Sequence, residues 1–191
     1  MVEQTDRQIV IDPRKTPLNG LLVMQPKVFR DARGWFQESY NERAILDALG
    51  HAPHFVQENE SMSQAGVVRG LHFQVAPHAQ AKLVRVISGS ALDVLVDIRP
   101  ESTTYGQHYK LVLDSTEKCM LYIPEGFAHG FRALENGTIF SYKCTAFYEP
   151  AAERCILWND PALAIDWGIT DPMLSDKDKA GRPFAALAAM T

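Results

Sequence analysis

The sequence predicts an all-β fold closed as a jelly roll or similar double-sheet barrel, with short helices at its periphery. Two observations carry this. From His54 onward, short runs of β-branched, aliphatic and aromatic residues alternate with turn signals, at the spacing of a sandwich or barrel. No helix-length periodicity interrupts that run, and only one small helical pattern precedes it, which leaves double-sheet closure as the way to bury the apolar faces. Such a barrel offers a polar mouth or cavity between its sheets.

The early chain is punctuated. Leu21, Leu22 and Val23, then Val28 and Phe29, read as strand material broken at Pro26, as suits an edge or bend. Asp31 to Gly34 reads as a turn and Trp35 to Tyr40 as a strand. Asn41 is placed to cap a helix in which Ala44, Ile45, Leu46, Ala48 and Leu49 cluster at helical spacing, with Gly50 to stop it. HFVQENESMS then leads into VVRGLHFQ. The next stretch, KLVRVISGSALDVLVDI, reads as a hairpin turning at Ser88 to Ser90, with Leu92, Val94, Val96 and Ile98 on one face and Asp93 and Asp97 on the other. Strands follow at HYKLVLD, KCMLYIP, HGFRALE, TIFSYKCTAF and RCILWND, with Asn136-Gly137 as a hairpin signal. Near the C-terminus Ser175 and Asp178 have the shape of a capped helical turn.

At 191 residues, with no boundary signal, residues 1–191 read as one domain with a well-buried core. Apolar and charged fractions of 46% and 22% are ordinary for a globular protein, and a net charge of −4 provides no basic field for nucleic acid. An anionic ligand therefore needs a local basic pocket. Cys119, Cys144 and Cys155 form an odd set without CxxC spacing, which points to neither a disulfide framework nor a zinc site and fits a reducing cytoplasm. The opening MVEQTDRQIV lacks an apolar run of signal-peptide length, and no stretch approaches the roughly 18 apolar residues of a membrane span.

Four groups on or beside predicted strands need a reason to be there: His72, Lys82, His129 and Tyr142. A buried polar group without a partner costs on the order of 1–3 kcal/mol. The plain readings are a satisfied core histidine, a solvated strand-end lysine and a core tyrosine beside Phe140 and Cys144. Strict alternation sends Arg69 to the face opposite His72, so a site that used both would need a bulge or twist at Gly70. His129, following a proline and a glycine in YIPEGFAH, resembles the second metal motif of cupin barrels. The first motif would supply two histidines and a carboxylate, however, where LHFQ offers one histidine, so no metal is expected. Proton chemistry uses the four better. An imidazole takes a proton near neutral pH, an ammonium stabilises an enolate oxygen, and a phenol returns a proton from another direction. That combination inverts a carbon next to a carbonyl.

FRDARGWFQESY, FVQENESMS, VVRGLHFQ, AKLVRVISGSALDVLVDIR, YIPEGFAHGF, SYKCTAFY and LSDKD, in this order, resemble the dTDP-4-dehydrorhamnose 3,5-epimerase family along nearly the whole chain. The resemblance implies a cupin-type jelly roll without metal or cofactor, acting on dTDP-4-dehydro-6-deoxy-D-glucose in dTDP-L-rhamnose biosynthesis. It makes His72 the base, oriented by Asp178, and Tyr142 the acid, with Lys82 and His129 around the C4 ketone and the sugar. Arg69 and Arg33 would bind the pyrophosphate, Gln57, Asn59 and Glu38 would make nucleoside and phosphate contacts, and Tyr148 would stack on thymine. Glu153 and Lys177 match further ligand contacts. The segment with Arg33, Phe36 and Glu38 reaches a neighbouring subunit's site in this family, which implies a homodimer with strand exchange. Glu38, Glu153 and Lys177 taken alone read as solvated charges. Three other functions share the sequence signals: a 3-epimerase or ketoisomerase acting at one carbon, a non-catalytic sugar-nucleotide binding module, and a metal-dependent cupin oxygenase.

Overall fold

A computed structural model describes residues 10–11 and 16–189. The polar opening, residues 1–9, in which no signal run is read, lies outside the described residues. The strands are β1 (Val10–Ile11), β2 (Leu22–Gln25), β3 (Val28–Asp31), β4 (Gly34–Gln37), β5 (Gln57–Ser63), β6 (Val68–Gln74), β7 (Lys82–Ser88), β8 (Ser90–Asp97), β9 (His108–Asp114), β10 (Met120–Ile123), β11 (Phe127–Ala133), β12 (Thr138–Cys144) and β13 (Glu153–Cys155). Two short helices, α1 (Glu42–Leu49) and α2 (Asp176–Lys179), and a 3-10 turn (Phe184–Ala189) complete the order. Six strands make one sheet, in the order β1-β2-β10-β7-β12-β5, and five make the other, β13-β6-β11-β8-β9. The strands within each sheet pair antiparallel. This is the all-β, cupin-type jelly roll that the sequence predicts.

Side-chain parity decides what lies between the sheets. Val84 and Val86 of β7, Leu121 and Ile123 of β10 and Phe140 of β12 meet Ala91 and Leu95 of β8, Leu113 of β9 and Phe127 and Phe131 of β11 in one buried cluster. The opposite face of the five-stranded sheet, with Val68, Leu71, Phe73, Val94 and Val96, is buried under Trp158, Leu163, Trp167 and Leu187 from the C-terminal segment. Helix α1 covers the six-stranded sheet, packing Ile45 with Leu22, Met24, Leu83, Met120 and Tyr122. Its caps are those expected: Asn41 accepts the Ala44 N–H at 3.2 Å, and Gly50, in the left-handed region, donates to Leu46. No helix among the described residues is long and apolar enough to cross a membrane.

The connectivity departs from the sequence reading in two places. The stretch from Lys82 to Asp97 is not a hairpin, because β7 sits between β10 and β12 while β8 sits between β11 and β9 in the other sheet. The Asn136-Gly137 turn likewise joins β11 of one sheet to β12 of the other. Gly89 and Gly137 do adopt the positive φ that a tight reversal uses, 76° and 72°. Turn residues fix that reversal, but they do not decide whether its two arms hydrogen-bond to each other. With apolar residues on both faces, β8 needs cover on both, which an inner strand of a packed sheet provides. Four strands are also shorter than read: β4 ends at Gln37, β10 spans Met120–Ile123, β12 ends at Cys144 and β13 ends at Cys155.

Candidate active site

The inter-sheet parity that buries Val84, Phe140 and Phe127 also turns Lys82 of β7, Tyr142 of β12 and His129 of β11 inward. These side chains line one cavity of about 430 Å³, together with Gln57, Asn59, Arg69, His72, Tyr148, Glu153, Lys177 and Asp178. His72 and Arg69 both reach it because β6 carries a bulge. His129 faces His72 and Phe131 faces Arg69, so two steps along β11 correspond to three along β6. The extra residue moves Arg69 onto the face of His72. Gly70 makes this possible. Its φ is 123°, and a Cβ there would lie 2.5 Å from the Gly130 Cα.

Asp178, 3% exposed, projects from α2 toward the bulge. Its Oδ1 accepts from His72 Nε2 at 2.7 Å and from the Gly70 N–H at 3.0 Å, and its Oδ2 accepts from the Ser175 hydroxyl at 2.6 Å. Burial pushes its carboxyl up, but these donors and the nearby imidazole outweigh that and bring it down to about 2. An ionised carboxylate can only accept, so the His72 proton sits on Nε2 and the Nδ1 lone pair is left bare. Nδ1 is buried and has no hydrogen-bond partner among the described residues. A carboxyl lowered from 3.8 to about 2 contributes stability that is complete above pH 4 and lost as pH falls through 2. At 1.36 kcal/mol per unit this amounts to about 2 kcal/mol. Denaturant titrations of the wild type and Asp178→Asn should therefore show a stability gap at pH 7 that narrows by about that amount between pH 4 and 2.

Facing this pair across the cavity, Tyr142 stands on the six-stranded sheet with the Lys82 ammonium 5.7 Å from its ring centroid. Burial, with the neighbouring Cys144, raises the Tyr142 phenol and keeps it protonated. Burial lowers the Lys82 ammonium against the pull of Cys144, Glu153 and Asp93. His129 Nε2 lies 2.7 Å from Asp93 Oδ1. Asp93 is fully buried, which raises its carboxyl against the pull of His129 and Lys82. Sequence reasoning missed Asp93 as a site residue. The signal was present, since a carboxylate inside ALDVLVDI is as conspicuous as an imidazole inside VVRGLHFQ.

The mouth is assembled from β5, β6, β13, α2 and the loop that carries Tyr148. Gln57 donates to Asn59 at 2.9 Å and accepts the Tyr148 N–H at 2.9 Å. Arg69 is held by the Ser63 hydroxyl at 3.1 Å and the Met62 carbonyl at 3.2 Å. Tyr148 donates to Glu153 Oε2 at 2.7 Å, and Lys177 donates to the same oxygen. Arg33, Phe36 and Glu38 are not brought to this cavity. Arg33 is 90% exposed and paired with Asp31 at 2.6 Å, Phe36 is exposed on the β3–β4 hairpin, and Glu38 accepts from Asn41.

One group of metal-type donors exists among the described residues: His72, Cys155 and Asp178, within 4.8 Å of one another. Both Asp178 oxygens are already engaged. Burial, with the Asp178 charge, pushes the Cys155 thiol up to about 12, so it is a neutral thiol near pH 7. His72 and His129, facing each other across β6 and β11, each turn Nε2 to a carboxylate.

A family model described as dTDP-4-dehydrorhamnose 3,5-epimerase matches residues 15–186. The dTDP-4-dehydrorhamnose 3,5-epimerase of Pseudomonas aeruginosa is 50% identical over 166 residues, covering 86% of this chain and 91% of that one. The crystal structure of a dTDP-6-deoxy-D-glucose-3,5-epimerase from Legionella pneumophila in complex with dTDP-4-keto-L-rhamnose superposes with a TM-score of 0.90 at 41% identity, over 96% of this chain and 97% of that one. A 3'-monoepimerase from Streptomyces bikiniensis in complex with dTDP-quinovose superposes at 0.87 with 30% identity, over 92% and 89%. Matched by that family model along most of its length, and half identical to a curated member, the chain belongs to the dTDP-4-dehydrorhamnose 3,5-epimerase family.

Proposed function

We propose that this chain inverts C3 and C5 of dTDP-4-dehydro-6-deoxy-D-glucose, giving dTDP-4-dehydro-L-rhamnose for dTDP-L-rhamnose biosynthesis. One observation carries the reading: a base and an acid project from opposite sheets into one cavity, His72 with its Nδ1 bare and Tyr142 with its phenol held protonated. Carbons flanking the C4 ketone are acidic because the carbanion delocalises onto oxygen. His72 Nδ1 takes the proton from one face, and Asp178 stabilises the imidazolium that results. Lys82 and His129 stabilise the enolate oxygen. Tyr142 then delivers a proton to the other face, and the carbon is inverted. The chemistry asks for no metal or cofactor.

Arg69 at the mouth is suited to the pyrophosphate, since guanidinium geometry matches phosphate oxygens, and Tyr148 is suited to stack on the thymine ring, with Gln57, Asn59, Glu153 and Lys177 around it. The exposed β3–β4 hairpin supports a homodimer in which each copy's Arg33, Phe36 and Glu38 complete the other's site. Its Trp35 and Phe36 are more than half exposed, and apolar rings in that setting call for a covering surface. The enzyme acts as one domain in the cytoplasm, where Cys119, Cys144 and Cys155 stay reduced.

The likeness to a 3'-monoepimerase favours a second reading, inversion at one carbon only. Incubation with dTDP-4-dehydro-6-deoxy-D-glucose in D₂O separates the two. The double epimerase incorporates deuterium at both C3 and C5, whereas label at C3 alone would establish the monoepimerase and no label would leave a binding protein.

A further inference from the structure

A double inversion poses a problem that a single one does not. In the first inversion a C–H bond breaks, its proton binds His72 Nδ1, and its electron pair passes into the enolate. The enolate carbon then takes the proton of the Tyr142 O–H. The substrate has lost one proton and gained one, so its charge is unchanged, but the enzyme is left as imidazolium and phenolate. The second inversion on the same ring needs neutral imidazole and phenol again, before product leaves. One proton has to exit from His72, and one has to reach Tyr142.

Resting on the double-epimerase reading, we infer that Glu153 is the relay that takes the His72 proton out of the cavity between the two inversions. Its Oε1 lies 3.6 Å from His72 Nδ1, the nitrogen that receives the substrate proton. Its Oε2 is bonded to Tyr148 and Lys177, which stand at the mouth with half of their surface in solvent. One carboxylate thus lies within ion-pair distance of the base at one end and is bonded to the wet rim at the other. The alternatives beside His72 are unsuitable. Asp178 contacts Nε2, not Nδ1, and its oxygens are filled by the Gly70 N–H and the Ser175 hydroxyl as well. Cys155 is a protonated thiol with nothing to accept with. Burial raises the Glu153 carboxyl, yet Lys177, Tyr148 and His72 together hold it below its ordinary value, so it is ionised at rest and keeps a proton only in passing. Imidazolium gives its proton to Glu153, Glu153 gives it to water at the rim, and the phenolate recovers one from water. Bulk water closes the balance.

The test is product partition in a single turnover with enzyme in excess, read by NMR of the quenched sugar. Wild-type enzyme should release almost entirely the doubly inverted sugar. Glu153→Gln, which keeps the shape but accepts no proton, should raise the singly inverted fraction about 10-fold or more, with the first inversion slowed far less. Glu153→Asp should lie between the two. Formate added to Glu153→Ala should restore the wild-type ratio, and this arm decides the matter if the glutamine variant does not fold. A Glu153→Gln enzyme that slows both inversions equally, with an unchanged ratio, overturns the relay and leaves the double-epimerase reading intact. A wild-type enzyme that inverts only one carbon overturns the double-epimerase reading, and the relay with it.

Discussion

His72→Ala is expected to lower kcat by about 10²–10⁴-fold, the usual contribution of a positioned general base, and to stop deuterium wash-in at every carbon. The loss should be chemical, not structural. Asp178 keeps the Gly70 N–H and the Ser175 hydroxyl as donors, so its carboxylate is not stranded when the imidazole goes. The cavity side of His72 has no hydrogen-bonded partner on Nδ1 to orphan. Affinity for dTDP, which would engage the mouth, should stay within a few-fold. The measurements are steady-state turnover, wash-in and dTDP binding on the same preparation. Turnover retained within about 10-fold would remove His72 from the mechanism.

Tyr142→Phe should separate two events that His72→Ala abolishes together. The ring remains packed beside Phe140 in the inter-sheet core, so the cavity keeps its walls, but the proton for the second face is gone. Inversion should fall by about 10²–10⁴-fold. His72 still removes and returns protons on its own side, so recovered substrate should gain deuterium with its configuration unchanged. Inversion surviving within a few-fold would mean that the acid is another group, and the neighbouring Lys82 ammonium would be the first to examine.

The strands of this fold were legible because their residues alternate, and most of the site was legible for a related reason. A polar side chain in an apolar strand has to be satisfied, and His72, Lys82, His129 and Tyr142 all stand out that way. What parity alone could not give was the pairing of strands remote in sequence. Nothing local in SGS or NG states that β7 and β8, or β11 and β12, go to different sheets. Arg69 shows the same limit within one strand. Alternation assigns it away from His72, and only the match of β6 against β11 reveals the bulge that brings it back. Asp178 read locally as a helix-cap residue, and it does take part in a cap, but as the residue capped: its N–H donates to the hydroxyl of the N-cap Ser175 at 3.2 Å. Its contact with His72 spans 106 positions, and only the resemblance pointed to it. Arg33, Phe36 and Glu38 lie outside the cavity of their own chain, and only the resemblance linked them to a site.

That 106-position span has a consequence for biosynthesis of the enzyme itself. A nascent chain emerging from the ribosome has the strands of both sheets once β13 has appeared, but the His72 imidazole is still without its Asp178 partner, because α2 has not been translated. A chain cut short just ahead of Ser175 would therefore lack both the carboxylate that holds His72 and the Leu187 that helps bury the outer face of the five-stranded sheet.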